Sequence, residues 1–238
     1  MTYSLVTNAT AAGTNNITTP GVDTTAADLI VVEVSFSSQE AGNIVLSDNK
    51  SNSWTLAVTG NESAAAIDAQ IYFVQAPTVG SGHTFNINDN SGTLYAAIHM
   101  SAWKGSLASP LDQTNSYDIG FTTSGTTGSI TPGAANELII AALCIGAGGS
   151  AYTIDSGFTI SDSNVYNAGV NYGGASAYLI QSAAASVNPT WSWTGSAYAA
   201  GAIASFKAAA STAVWGWEPA GAMTPILPPS RAVGGSPT

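Results

Sequence analysis

Tyr95-Ala-Ala-Ile-His-Met-Ser-Ala-Trp-Lys104 occurs twice in this chain, the second time as Tyr198-Ala-Ala-Gly-Ala-Ile-Ala-Ser-Phe-Lys207. Four of the ten positions are identical, Trp103 is matched by Phe206, and Met100 is matched by Ile203. The whole chain has four Lys and Arg, and two of them close these copies. A short apolar stretch recurring with its terminal cation reads as the last strand of a repeated unit.

Working outward, the repeat grows to most of the chain. Thr19-Pro20-Gly21 is matched by Thr131-Pro132-Gly133, and Asp28-Leu-Ile-Val-Val by Glu137-Leu-Ile-Ile-Ala. Ile44-Val-Leu-Ser-Asp48 resembles Phe158-Thr-Ile-Ser-Asp162, and Ile71-Tyr-Phe-Val-Gln75 resembles Ala177-Tyr-Leu-Ile-Gln181. Thr84-Phe-Asn-Ile pairs with Thr190-Trp-Ser-Trp. The order is kept, and spacing changes only across Gly-, Asn- or Ser-rich stretches, where loops absorb length. The copies are therefore 3–104 and 117–207, joined by 105–116.

Within each copy the apolar period is two. Phe85 and Ile87 fall on one face of their run, as do Trp191 and Trp193 of theirs, which describes half-buried strands. Leu29–Val34 and Leu138–Ile145 are continuously apolar and rich in β-branched residues, so they read as strands covered on both sides. Turn residues separate the runs, as at Gly42-Asn43, Asn49–Asn52, Gly80–Gly82 and Gly173-Gly174. The expected fold is all-β: an antiparallel β-sandwich, jelly-roll or Ig-like, built by internal duplication over 1–207. One sandwich with a core shared by both copies is the favoured form, and two tandem sandwiches are the alternative.

After Lys207 the character changes. Residues 208–238 hold five of the ten prolines, the only arginine, and Trp215-Gly-Trp217. Proline cannot donate to a ladder, so an extended C-terminal arm is expected. Trp215, Trp217, Met223, Ile226, Leu227 and Arg231 are its candidate anchors for docking on a partner.

Composition excludes several classes. Charged residues make up 8% of the chain, against about 25% in an average soluble protein. A net charge of −10 with four cations cannot neutralise a run of phosphates, so nucleic-acid binding is not expected. No run reaches the ~18 apolar residues of a membrane span, and Met1-Thr-Tyr-Ser does not open a signal peptide. Cys144 lies in an apolar run and reads as a small buried hydrophobe.

Candidate chemistry is sparse. There are two histidines, His83 after a Gly-Ser-Gly turn and His99 inside the opening stretch, where its counterpart is Ala202. No nucleophile elbow, HExxH or paired-cysteine motif accompanies them, and no catalytic residue, cofactor or metal is assigned. Asp48-Asn-Lys-Ser-Asn52 offers oxygen donors for Ca²⁺ but lacks the central Gly and terminal Glu of an EF-hand loop, so a plain turn is preferred. Trp54 and Trp191 are the candidate glycan contacts. For Trp191 the repeat argues the other way, because Phe85 and Ile87 stand where Trp191 and Trp193 stand, and core packing explains both pairs.

With these motifs placed, the chain resembles a β-sandwich module that recurs in bacteriophage structural proteins and bacterial surface proteins. The stretches that carry the resemblance are Asp28-Leu-Ile-Val-Val, Ser47–Trp54, Ile71–Ala76 and Ala97–Gly105, followed by Pro110-Leu-Asp112, and it spans about 3–207. It implies a non-enzymatic role on a virion: a capsid-decoration, fibre or tail-surface component that contacts other virion proteins, forms a homo-oligomer and docks through its arm. The alternative is a carbohydrate-binding module that meets a host surface glycan.

Overall fold

The computed structural model describes residues 2–37, 44–89, 95–146, 150–167 and 171–210. The expected arm anchors Trp215, Trp217, Met223, Ile226, Leu227 and Arg231 lie outside the described residues. What is described contains strands and no helix. The strands are β1 (Ser4–Thr14), β2 (Ile17–Thr18), β3 (Leu29–Ser37), β4 (Ile44–Asp48), β5 (Thr55–Glu62), β6 (Ile67–Gln75), β7 (Phe85–Asp89), β8 (Tyr95–Lys104), β9 (Ser106–Thr126), β10 (Glu137–Gly146), β11 (Ser150–Ile154), β12 (Thr159–Asn167), β13 (Asn171–Gln181) and β14 (Thr190–Ala208). All their pairings are antiparallel.

The two continuously apolar runs become the central strands. Every residue of β10 is buried, and so are the first eight of β3, because sheet neighbours flank each strand while packed layers cover both its faces. Around β3 the order is β1-β8-β3-β6-β5. Around β10 it is β9-β14-β10-β13-β12, with β12 beside β13 as β5 is beside β6. The sequence match of Ile44–Asp48 with Phe158–Asp162 is not kept, because β4 lies in the small sheet beside β7 while β12 lies in a large one. A small sheet, β2-β7-β4, covers one face of the first. In the second half the equivalent cover comes from β11, the first residues of β14 and the last of β9, with Ile154 opposite Trp191 and Thr126 opposite Thr190.

Alternation then sorts side chains into three apolar layers. Ile30, Val32, Val34 and Phe36 of β3 point toward Ile17, Phe85 and Ile87 of the small sheet. Ile139, Ala141, Leu143 and Ile145 of β10 pack with Trp191 and Trp193. The opposite faces of the two large sheets meet in a third layer, where Leu29, Val31, Ile67, Ile71 and Trp103 pack on Leu138, Ile140, Ala142, Ala202 and Phe206. Each half thus keeps a core of its own, and a third is shared, in a sandwich-like stack.

The large sheets stack in reversed order, with β1 against β12 and β5 against β9. Their central strands run the same way. The Phe73 and Phe206 rings meet at 5.5 Å near one end, and the Ser35 hydroxyl donates to the Leu143 carbonyl at 2.9 Å toward the other.

Residues 105–116, read from sequence as a joining stretch, differ from that expectation. They lead without a break into β9, the edge strand beside β14. One side of β9 faces solvent, so its sequence is largely polar, and Pro110 is tolerated because an edge strand has free ladder positions.

Candidate functional site

Three polar clusters stand out from this apolar frame. The first is built on the turn after β4. Asp48 Oδ1 accepts the Lys50 backbone N–H at 2.7 Å and the Asn52 side-chain amide at 3.1 Å, and Oδ2 accepts the Trp54 indole N–H at 2.9 Å. His83 Nε2 lies 3.1 Å from Asp48 Oδ1, and its Nδ1 is 2.9 Å from the Thr24 hydroxyl. Burial pulls the His83 pKa down, and the hydrogen bond to Asp48 only partly offsets this. The arrangement has the order acid–imidazole–hydroxyl, yet Thr24 and the side chains of His83 and Asp48 are fully buried, and the Gly80 N–H also donates to the Thr24 oxygen. It pins the 48–54 turn to the 80–83 turn. The Ca²⁺ reading of Asp48–Asn52 meets a carboxylate already surrounded by N–H donors, and among the described residues no group of three His, Cys, Asp or Glu could hold a metal.

The second cluster lies inside the shared layer, where apolar packing gives way to polar side chains. Glu33 of β3 is directly opposite His99 of β8, which is opposite Thr10 of β1. Glu33 and His99 are each 1% exposed. The Thr10 hydroxyl pairs with His99 Nδ1 at 3.1 Å, and Asn164 of β12 reaches across to donate to that hydroxyl. Both Glu33 carboxyl oxygens and His99 Nε2 lack a hydrogen-bond partner. The Ser176 hydroxyl and the Asp162 carboxylate are the polar neighbours of Glu33 from the facing sheet. Burial pushes the Glu33 carboxyl up to about 8 and the His99 imidazole down to about 4, so both are neutral near pH 7. Sequence comparison set His99 aside because its counterpart is Ala202. The missed signal was Glu33, the one charge within Leu29–Phe36.

The third cluster sits where β9, β14 and β10 lie side by side. Lys207 Nζ of β14 is 2.6 Å from Asp112 Oδ1 of β9, and the Gly133 N–H donates to Asp112 Oδ2 at 2.6 Å. Glu137, at the start of β10, is fully buried and accepts the Ala134 N–H through Oε1 at 2.9 Å, while its Oε2 has no donor. Burial and the neighbouring Asp112 carboxylate raise the Glu137 pKa. Burial alone would raise Asp112 too, but the Lys207 ammonium and the Gly133 N–H hold it below the usual carboxylate range. A cleft of about 360 Å³ opens beside Lys207, lined by Leu107, Asn136 and Ala208. Lys207 and Glu137 were visible in sequence as repeat positions, but nothing there brought Asp112 to them.

The aromatic candidates separate clearly. Trp191 is fully buried and Trp193 nearly so, its indole N–H donating to the Thr122 carbonyl at 3.0 Å. Trp54 is half-buried, edge-on to Phe85. The most exposed large apolar side chains among the described residues are instead Tyr117 and Phe121 of β9, at 54% and 63%, with the Tyr198 ring 5.0 Å from Phe121. Both lie in a polar stretch, with no apolar alternation to mark them in sequence. No protein family, curated protein or solved structure matches this chain.

Proposed function

We propose that this chain is a non-enzymatic structural component of a virion surface, a capsid-decoration, fibre or tail-surface protein that docks through its C-terminal arm. The observation that carries the reading is where the ionisable groups go. Asp48 and His83 bind turns together, Glu33 and His99 are sealed between sheets, and Asp28 accepts the backbone N–H groups of Gly105 and Ser106. Side chains of this kind serve the frame, and of the described charged residues Asp23, Lys104, Asp118 and Asp155 are the exposed ones. The repeated strand order supports an origin by duplication of one sandwich unit. The Ala209 N–H donates to the Gly105 carbonyl at 2.7 Å, so the last described residues lie beside the start of β9. Deleting 212–238 should leave a folded body that no longer joins its particle, as read by co-sedimentation with purified virions. Retained incorporation would sink the docking role.

A glycan-binding reading is favoured by Tyr117 and Phe121, since exposed rings beside a polar strand suit stacking on a sugar face. A glycan array on the full chain decides it. Specific binding that disappears in a Tyr117→Ala, Phe121→Ala double variant would establish the adhesive role.

A further inference from the structure

We propose that the Lys207 and Asp112 side chains become joined by an amide bond that forms within the folded chain, with Glu137 as the proton-transfer group. Three observations converge on this. The amine nitrogen sits 2.6 Å from one carboxyl oxygen, and that oxygen is bonded to the carbon it would attack, so the two reacting groups are already held together. The second carboxyl oxygen already receives the Gly133 N–H, a donor aimed where negative charge develops as the carbon becomes tetrahedral. Beside them lies a fully buried carboxyl group, Glu137, with one oxygen unpartnered, which feels the charge of the Asp112 carboxylate.

The step balances without any outside reagent. The Lys207 ammonium first passes a proton to Asp112 Oδ1 across the 2.6 Å contact, leaving an amine and a carboxylic acid. The amine lone pair attacks Asp112 Cγ, forming the N–C bond and placing charge on Oδ2. The Cγ–Oδ1 bond then breaks. Glu137 in its protonated form, which burial favours, gives its proton to the departing oxygen and recovers one from the nitrogen, so the acid is regenerated and one water leaves. Ammonium plus carboxylate becomes amide plus water.

The first half of the chain supplies an internal contrast. Lys104 corresponds to Lys207 but is exposed and stands opposite Ser4 of β1, and Asp28, which corresponds to Glu137, is occupied by backbone N–H groups. Among the described residues no carboxyl pairs with Lys104 as Asp112 pairs with Lys207. The bond is therefore specific to the second half, where it ties the edge strand β9 to β14 close to the last described residues. The ordinary alternative is an ion pair, and with Lys207 37% exposed such a pair adds little stability.

Intact mass of the denatured full chain tests the proposal. The chain should be lighter than its sequence by one water, and digestion should release a branched peptide joining the Asp112 and Lys207 segments. Lys207→Arg should restore the full mass. Glu137→Gln should leave the chain unlinked while its circular dichroism stays that of a β protein. Wild-type chain at full sequence mass with no branched peptide overturns the bond. So does a water loss that persists in Lys207→Arg, which would place the dehydration elsewhere. Linking at the wild-type level in Glu137→Gln removes Glu137 from the mechanism.

Discussion

Glu33 and His99 oppose each other across two neighbouring strands with their pKa values displaced in opposite directions, and stability should record both. The folded state keeps the Glu33 proton up to about pH 8, whereas an unfolded chain loses it near 4.5. Between those values the native state binds more protons, so this residue makes stability fall as pH rises. His99 does the reverse. Its imidazole stays neutral down to about pH 4 when folded and is protonated below 6.5 when unfolded, so it makes stability rise between 4 and 6.5. The two effects oppose each other up to pH 6.5, and above that Glu33 acts alone. Thermal unfolding should therefore show a loss of about 2 kcal/mol between pH 6.5 and 8, from 1.36 kcal/mol per unit. Glu33→Gln should flatten that limb, and an unchanged slope would refute the assignment. Reading this cluster from sequence was not possible, because its members come from β1, β3, β8, β12 and β13 and meet only when the two large sheets stack. Glu33 in an apolar run was the visible part, and Thr10, Asn164 and Ser176 look like ordinary polar positions.

Strands were the most legible level, and the reason is physical. Continuous β-branched runs such as Leu29–Val34 and Leu138–Ile145 suit a strand covered on both faces, and the structure makes them β3 and β10. Trp191 and Trp193 fall on the core face, as their matches Phe85 and Ile87 require. The stretch 105–116 was misread because an edge strand exposed to water needs no apolar alternation. Close approach between strands was also invisible. A Cβ on Gly60 of β5 would stand 2.2 Å from the Gly201 carbonyl oxygen of β14, a backbone atom with no room to yield. Gly60→Ala should therefore push β5 off the second sheet and cost about 1–3 kcal/mol, the range for overpacking. Chemical denaturation would measure it, and a neutral result would mean that the sheets slide apart freely there.

At the scale of the molecule, an all-β antiparallel fold could be read from the strand pattern, while the way the sheets meet had to be seen. Even spacing of strands is compatible with a shared core and with separate ones, and the structure contains both kinds of layer. The shared layer makes the halves interdependent. A fragment ending at residue 104 would expose Leu29, Val31, Ile67, Ile71 and Trp103 together, a contiguous apolar face of the sort that drives association. Expressed alone, it should elute as a dimer or larger species, whereas a compact monomer would show that the layer is dispensable. The Tyr3 hydroxyl donates to the Lys207 carbonyl at 2.9 Å, so the first strand and the last described strand finish side by side. Both ends of the described chain therefore occupy one pole. The opposite pole, marked by Ser37, Ile67, Tyr95 and Gly146, lies about 30 Å away along the ten residues of β10. On the docking role proposed above, attachment at the pole of Tyr3 and Lys207 would stand the body upright and leave the far rim as its outermost surface.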